Sequence, residues 1–445
     1  MAQLKLFGSA RGGARVAKRG KKEKPARQKK PLKALAIVLT VLLCLEGLYF
    51  LCIYSNIPFI VKYRTIYINT AMNTMRHQWL ATYFIPDNVI DKVRYEYGLQ
   101  VAASNGKESQ WGNAGASAEV TKPTVNEIEA EIVEEEKPDP EEQARLAREA
   151  FFEVFWEIDE ASMDAYVAEH PDVIANGWDS IHINEAGIED EGTNIESIYG
   201  EQVLGIDAAN GVLLLRVKGK GYRGVLAVGK NPAALSVETC STYGTVGQKI
   251  GVTAEEHDGV LAMNASGFLD PGGNGNGGTV AGYAMSNGEE YGSHFTQWAY
   301  KRIELREDNR FYIKDASTPT TEGTTDATEF QPAMIIDGVK YTTDVWTDSN
   351  PRACIGQSDK YEILMLVIEG RLWLEGINGT SVNTCSDILL QHGCMQAMNL
   401  DGGSSAMMWF DGKYVMRSSS PDNRYNGGRP APNAWVYKAA GTFEE

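Results

Sequence analysis

One uninterrupted apolar run near the N-terminus constrains this chain more than any other feature. From Ala34 to Tyr54 it reads ALAIVLTVLLCLEGLYFLCIY, with Glu46 its only charge. Spanning a bilayer core takes roughly 20 apolar residues, so the run predicts one transmembrane helix over 34–54. A single carboxyl at mid-bilayer costs a few kcal/mol, which the surrounding Leu, Ile and Val offset. Residues 1–33 hold twelve Lys or Arg against one acid, Glu23. Cations flanking a span stay on the cytoplasmic side, so the expected topology is single-pass in the cell membrane, tail inside, everything after residue 54 outside. A cleaved signal peptide is the rival reading. Against it, the apolar run is long and the following SNIPFIVKYR lacks a small-residue cleavage pattern. Beside a membrane segment, the basic tail reads as a topology signal and a contact for anionic lipid.

The whole chain carries −17 and its first 33 residues +11, leaving −28 on residues 34–445. Nucleic-acid binding needs clustered cations to displace counterions from phosphates, so the outer part is not expected to bind nucleic acid. Cys44 and Cys52 fall in the apolar run. Cys240, Cys354, Cys385 and Cys394 form no C-x-x-C pair, which argues against a zinc site. Cys385 and Cys394 are open to two readings, a bridge or buried free thiols.

Residues 55–101 mix apolar and polar side chains and read as a membrane-proximal helical segment. Residues 102–140 end in EIEAEIVEEEKPDPEE, too acidic to bury enough apolar surface for ordering, and read as a disordered tether. Residues 141–171 carry early acids, apolar positions at helical spacing and a terminal Pro, the pattern of one or two amphipathic helices. From 172 to 440 the texture changes to short strands such as VLLLRV and ILMLVIEG, separated by Gly and Asn turns. Asp-Gly lies between apolar runs in IIDGVKY and MMWFDGKYVM, a hairpin signal. SDILLQHG reads as one capped helix ending at Gly393. The expected fold is a single α+β domain with a large mixed or antiparallel sheet and few helices, preceded by the transmembrane helix.

Three segments carry chemistry. In Met263-Asn264-Ala265-Ser266-Gly267-Phe268-Leu269-Asp270, a strand gives way to the glycine-dense PGGNGNGGTVAG. So many glycines suit close backbone approach to a ligand; a merely mobile turn and a Ca²⁺ loop are the alternatives. No cofactor is expected, Ca²⁺ being the one ion the oxygen-rich loop would suit, although its spacing is not that of an EF-hand. In Asn350-Pro351-Arg352, an arginine at a strand mouth can grip phosphate or carboxylate through its planar fork. The sharpest segment is Asn399-Leu400-Asp401-Gly402-Gly403-Ser404-Ser405, a turn between two apolar strands. Arg429 and Asn433 follow in RSSSPDNRYNGGRPAPNAWVY, a long polar loop of the kind on which sites are built.

Taken in order, these elements resemble the phosphodiester glycosidase family, which includes N-acetylglucosamine-1-phosphodiester α-N-acetylglucosaminidase. The resemblance rests on Asn264, Gly267 and Phe268; Arg352 and Gly356; Glu369-Gly370-Arg371; Asn399 through Ser405; and Arg429, Asn433 and Ala434. It covers roughly residues 210–440. It implies hydrolysis of the C1–O bond of a sugar-1-phosphodiester. No metal ligand is assigned among the site residues. Asp401, Arg352 and Arg429 are the expected catalytic residues, the two arginines holding phosphate. Asn264, Gly267, Asn399, Gly402, Gly403, Ser404, Ser405 and Asn433 are the expected substrate-binding residues. Asp270 and Glu369 are alternative second carboxylates. With the topology, the implied substrate is a phosphodiester-linked envelope glycan or exopolysaccharide. The competing readings are a non-catalytic glycan- or phosphopolymer-binding module and a purely structural anchor.

Overall fold

The computed structural model describes residues 30–74, 77–102, 107–111, 139–270, 274–295, 300–341 and 347–443. Most of the basic tail and residues 112–138 of the acidic linker lie outside these. The chain divides into two compact units, residues 1–61 and 62–445. In the first, a helix spans Lys30–Tyr54, and its Lys33–Tyr54 stretch is long and apolar enough to cross a membrane. Glu46 is the only charge in that stretch after Lys33, a composition shared by membrane anchors and signal sequences.

The second unit is built on a nine-stranded sheet. Its order is His182–Asn184, Gln202–Asp207, Val212–Gly219, Tyr222–Gly229, Ile363–Ile368, Arg352–Ser358, Cys394–Asn399, Ala333–Ile336 and Val339–Lys340. A second sheet runs Lys413–Tyr414, Met408–Phe410, Gly259–Asn264, Asn433–Lys438 and Leu235–Thr239. A third, inserted between residues 283 and 330, runs Phe311–Asp315, Lys301–Arg306, Thr324–Phe330, Tyr283–Ser286 and Glu289–Gly292. The α+β class holds. The expected single sheet is three, and every strand pairing among the described residues is antiparallel.

The apolar run VLLLRV shows why. Successive side chains of a strand face opposite sides. Leu214 packs toward Leu261, Met263 and Trp435 of the second sheet, while Leu213 and Leu215 face Phe151, Phe155 and Leu389 from the helices. The large sheet is therefore covered on both faces, and its central strands are apolar at most positions instead of alternating. Each fully buried leucine contributes roughly 2 kcal/mol.

Both Asp-Gly hairpins form. Asp337 and Gly338 have φ of +50° and +73°, and Asp411 and Gly412 +41° and +81°, the left-handed pair of a type I′ turn. Helices span Pro140–Val154 and Glu160–Glu169, within the expected amphipathic segment. The helix expected from SDILLQHG begins one turn earlier, spanning Val382–Gln391, because Ser381 Oγ accepts the Thr384 N–H at 3.0 Å.

The membrane-proximal segment forms helices Pro58–Met72, Trp79–Thr82 and Asp87–Ala102. The expectation of a wholly unstructured tether fails at residues 107–111. Ser109 N–H donates to the Ile313 carbonyl at 3.0 Å, Trp111 Nε1 to the Phe311 carbonyl at 2.8 Å, and Glu108 pairs with Lys314. Trp111 is buried there. One large aromatic and an open strand edge hold down what composition alone assigns to solvent.

Candidate active site

Strand register brings the three motifs to one end of the molecule. In the large sheet, Arg352 lies opposite Ile368, and Cys354 opposite Asn399. The segment entering the Arg352 strand, the Glu369-Gly370-Arg371 exit and the Asp401 turn therefore emerge side by side. In the second sheet, Asn264 lies opposite Ala434, and Met263 opposite Met408. The two sheet ends meet at the NLDGGSS turn.

Asn264 is almost fully buried and staples that turn. Its Nδ2 donates to the Asp401 carbonyl at 2.7 Å, and its Oδ1 accepts the Met407 N–H at 3.0 Å. Asn399 donates to the Gln331 carbonyl at 2.7 Å. Asn433 accepts the Ser266 N–H at 3.0 Å, and its Nδ2 pairs with Ser266 Oγ. These three amides, expected to meet substrate, are committed to protein partners and shape the site from behind. Buried amides must be satisfied, and the turn supplies the partners.

The glycines are explained by space. A Cβ on Gly402 would stand 2.6 Å from the Pro351 carbonyl oxygen, and one on Gly403, at φ +61°, 3.3 Å from Arg371 Nη1. A Cβ on Gly267 would press on Phe330 at 3.1 Å. Gly403 N–H donates to the Pro351 carbonyl at 3.0 Å. The turn thus lies tight against the base of the Arg352 strand. Ser405 is buried and hydrogen-bonds Asp401, while the Ser404 carbonyl accepts from Ser418 Oγ at 3.1 Å.

Asp401 is half-buried, and no Lys, Arg or His among the described residues comes within ion-pair distance of it. Loss of solvent raises its pKa to about 6; Ser405, Arg429 and Arg371 oppose the rise, and Asp270 adds to it. A carboxylate poised near neutrality in a recess is a functional-site signature.

The two arginines chosen from sequence are both paired. Arg429 grips Asp270 through Nη1 and Nη2, bonds the Gly275 carbonyl, and lies over the Phe268 ring at 4.6 Å. Arg352 donates to the Asp348 carboxylate at 2.9 Å and to the Thr380 carbonyl. Asn73, at the end of the Pro58–Met72 helix, donates to the same carboxylate at 3.5 Å. Of the alternative carboxylates, Asp270 is taken by Arg429. Glu369 is almost fully buried between Arg223 and Arg417. Burial alone would raise its pKa, but the hydrogen bonds from both arginines outweigh that and hold it below the ordinary value.

Arg371 is the cation that sequence reasoning quoted only as part of Glu369-Gly370-Arg371. Its Nη2 donates to Asn350 Oδ1 at 3.0 Å, and among the described residues it has no carboxylate partner. Burial, then the nearby Arg352, lower its pKa, with Asp401 opposing. Its φ of +59° is unusual for a side-chain-bearing residue. Its place in the Glu369-Gly370-Arg371 motif was the signal available in the sequence; its position near the Arg352 strand follows from register.

Aromatic residues of the inserted sheet were also missed. Phe295 stacks on Tyr300 at 3.8 Å between centroids, and Tyr300 meets Phe330 edge-on at 6.3 Å. Burial raises the Tyr300 pKa, Gln331 opposes by a hydrogen bond, and Asp401 adds to the rise, which places the phenol close to the turn. Phe295 N–H donates to the fully buried Glu329, which pairs with buried Arg302 and with His294. Among the described residues there is no cluster of three or more His, Cys, Asp or Glu able to hold a metal.

Residues 257–438 match the family model for phosphodiester glycosidase. The SPbeta prophage-derived uncharacterized protein YomE of Bacillus subtilis (strain 168) is 25% identical over 191 residues, covering 40% of this chain and 28% of that protein. This chain thus aligns with little more than a quarter of that relative's length. Among solved structures, the zebrafish N-acetylglucosamine-1-phosphodiester α-N-acetylglucosaminidase catalytic domain, auto-inhibited by its pro-peptide, aligns with TM-score 0.41 and 14% identity, covering 51% of this chain and 82% of that one. A hypothetical protein from Synechocystis aligns with TM-score 0.36 and 15% identity, covering 53% and 63%. Residues 257–438 of this chain are thus similar to phosphodiester glycosidase domains.

Proposed function

We propose that this chain is a membrane-anchored extracytoplasmic hydrolase that cleaves the glycosidic C1–O bond of sugar-1-phosphodiesters, on envelope or exopolysaccharide glycans. The observation that carries the reading is Asp401: a half-buried carboxylate without an ion-pair partner, beside the guanidinium of Arg371, in a domain of this family.

A phosphate leaving group departs with little need of protonation. The site therefore needs a carboxylate to stabilise an oxocarbenium-like centre or activate water, and cations to hold the phosphate. Asp401 supplies the first. Arg371 supplies the second, with Arg352 and Arg429 behind it fixing the loop walls through Asp348 and Asp270. The Tyr300 and Phe295 rings offer an apolar face for the sugar. The Lys30–Tyr54 helix and its basic flank support a tail in the cytoplasm and the domain outside, in reach of surface polymers.

The test is hydrolysis of a glycosyl phosphodiester by wild type and Asp401→Ala. Wild-type release of free sugar and phosphomonoester, lost in the variant, supports the reading. A wild type as inert as the variant, yet retaining a phosphoglycan on a column, would leave a binding module instead.

A further inference from the structure

The loop between Arg417 and Pro430 carries a second recess that the reaction at Asp401 does not use. The loop is a built structure. Arg417 N–H donates to Glu369 at 2.7 Å, Ser418 N–H to the Arg424 carbonyl at 2.9 Å, and Gly428 N–H to the Asn423 carbonyl at 3.1 Å. Lys249 Nζ ties Asn423 Oδ1 and the Gly428 carbonyl together from below. Ser418 Oγ bonds the Ser404 carbonyl, so the loop is fastened three residues beyond Asp401.

On its outer side Pro421, Asp422, Arg424, Tyr425 and Asn426 line a solvent-open cavity of about 380 Å³. Arg424 Nε is buried without a hydrogen-bond partner, and among the described residues the guanidinium has no carboxylate within ion-pair distance. An unsatisfied buried donor is destabilising, and an anion held by the guanidinium would relieve it. The Tyr425 ring is 57% exposed beside it. A guanidinium fork suits phosphate oxygens, an exposed phenol ring suits the apolar face of a sugar, and Asp422 and Asn426 suit hydroxyls.

We propose that this recess is a second subsite, holding a sugar phosphate one or more repeats away from the bond being cleaved, and hence that the substrate is a polymer of phosphodiester-linked sugars. The inference rests on the hydrolase reading for its ligand class but on different residues. It makes Arg424 and Tyr425 determinants of chain-length preference, with no part in the reaction itself.

The test compares two probes by calorimetry, with the full chain in detergent. One is methyl N-acetylglucosamine-1-phosphodiester; the other is a trimer of N-acetylglucosamine-1-phosphate repeats. Wild type is expected to bind the trimer at least ~10-fold tighter than the monomer. Arg424→Ala and Tyr425→Ala remove that margin while monomer binding, monomer turnover and Tm stay unchanged; Arg424→Lys restores part of it. Equal affinity of wild type for both probes overturns the subsite, as does an equal loss on both probes in the variants, or binding of neither at millimolar concentration. A trimer bound through Arg424 yet never hydrolysed upholds the subsite and overturns the hydrolase. Monomer hydrolysis without length preference does the reverse.

Discussion

Arg429 holds Asp270 through both terminal nitrogens, at 2.6 and 2.8 Å, and so leaves Asp401 as the nearby carboxylate with no cation bound to it. Two acids and one arginine at the same sheet end are thereby sorted into a fixed wall and an ionisable group facing the recess. Loss of solvent raises the Asp401 pKa, and with no cation bound to it the opposing pulls of Ser405, Arg429 and Arg371 do not cancel that rise.

A pH dependence follows. If the ionised form works, kcat/KM rises with pH through an apparent pKa near 6 and reaches a plateau above it. A profile that falls through that point instead would make Asp401 a proton donor. Stability has the opposite sign. A carboxyl whose folded pKa lies above its unfolded value favours the fold below about pH 4, and that advantage is lost as pH rises to about 6. Asp401→Asn should therefore gain roughly 1–2 kcal/mol at pH 7.5, discounted for solvent screening, and progressively less toward pH 4. Thermal melts across that range measure it.

Arg371 and Arg352 should separate by assay. Arg371→Ala is expected to lower kcat/KM by about 10²–10³ with a small change in Tm, since it removes charge stabilisation at the site. Arg352→Ala strands the buried Asp348 carboxylate and should cost about 3–5 kcal/mol of stability. Equal Tm losses in the two variants would contradict these assignments.

Asn264→Ala removes both ends of the staple across the NLDGGSS turn. Two buried partners lose their bonds, a destabilisation of roughly 2–4 kcal/mol, with loss of activity. Chemical denaturation checks the first. A variant with wild-type stability but weakened substrate binding would return Asn264 to the substrate-contacting role read from sequence.

Gly402→Ala forces a methyl against the Pro351 carbonyl oxygen, which as backbone cannot swing aside. The turn must move away from the Arg352 strand and carry Asp401 with it. Activity should fall at least ~10²-fold while the protein still folds, as judged by its circular dichroism and melt. Near-wild-type turnover would show that the position of the turn does not matter.

Much of this was legible beforehand because it is local. Asp337-Gly338 and Asp411-Gly412 state their hairpins in two residues, and the run at 34–54 states its helix by length. NLDGGSS could be found because its Asp-Gly-Gly stands as a turn between two apolar runs. The pairing of charges was not legible. Asp270 and Glu369 reach Arg429 and Arg417 from distant segments, whereas Asp348 lies only four residues before Arg352, and the fold decides which arginine is left over. Asn264 and Asn433 looked like ligands because buried and exposed amides are identical in sequence. Tyr300 enters from the loop that leads into the inserted sheet and meets Phe330 of that sheet, a pairing between distant segments that no local pattern states. At residues 107–111, composition argued for solvent, but Trp111 and one free strand edge outweighed it.

In the proposed reaction water attacks the sugar carbon and not phosphorus. Hydrolysis of a glycosyl phosphodiester in ¹⁸O-labelled water, with both products weighed by mass spectrometry, tests it most directly. The label is expected at C1 of the released sugar and not in the phosphomonoester, with turnover abolished in Asp401→Ala. Label in the phosphate would mean P–O cleavage and would contradict it.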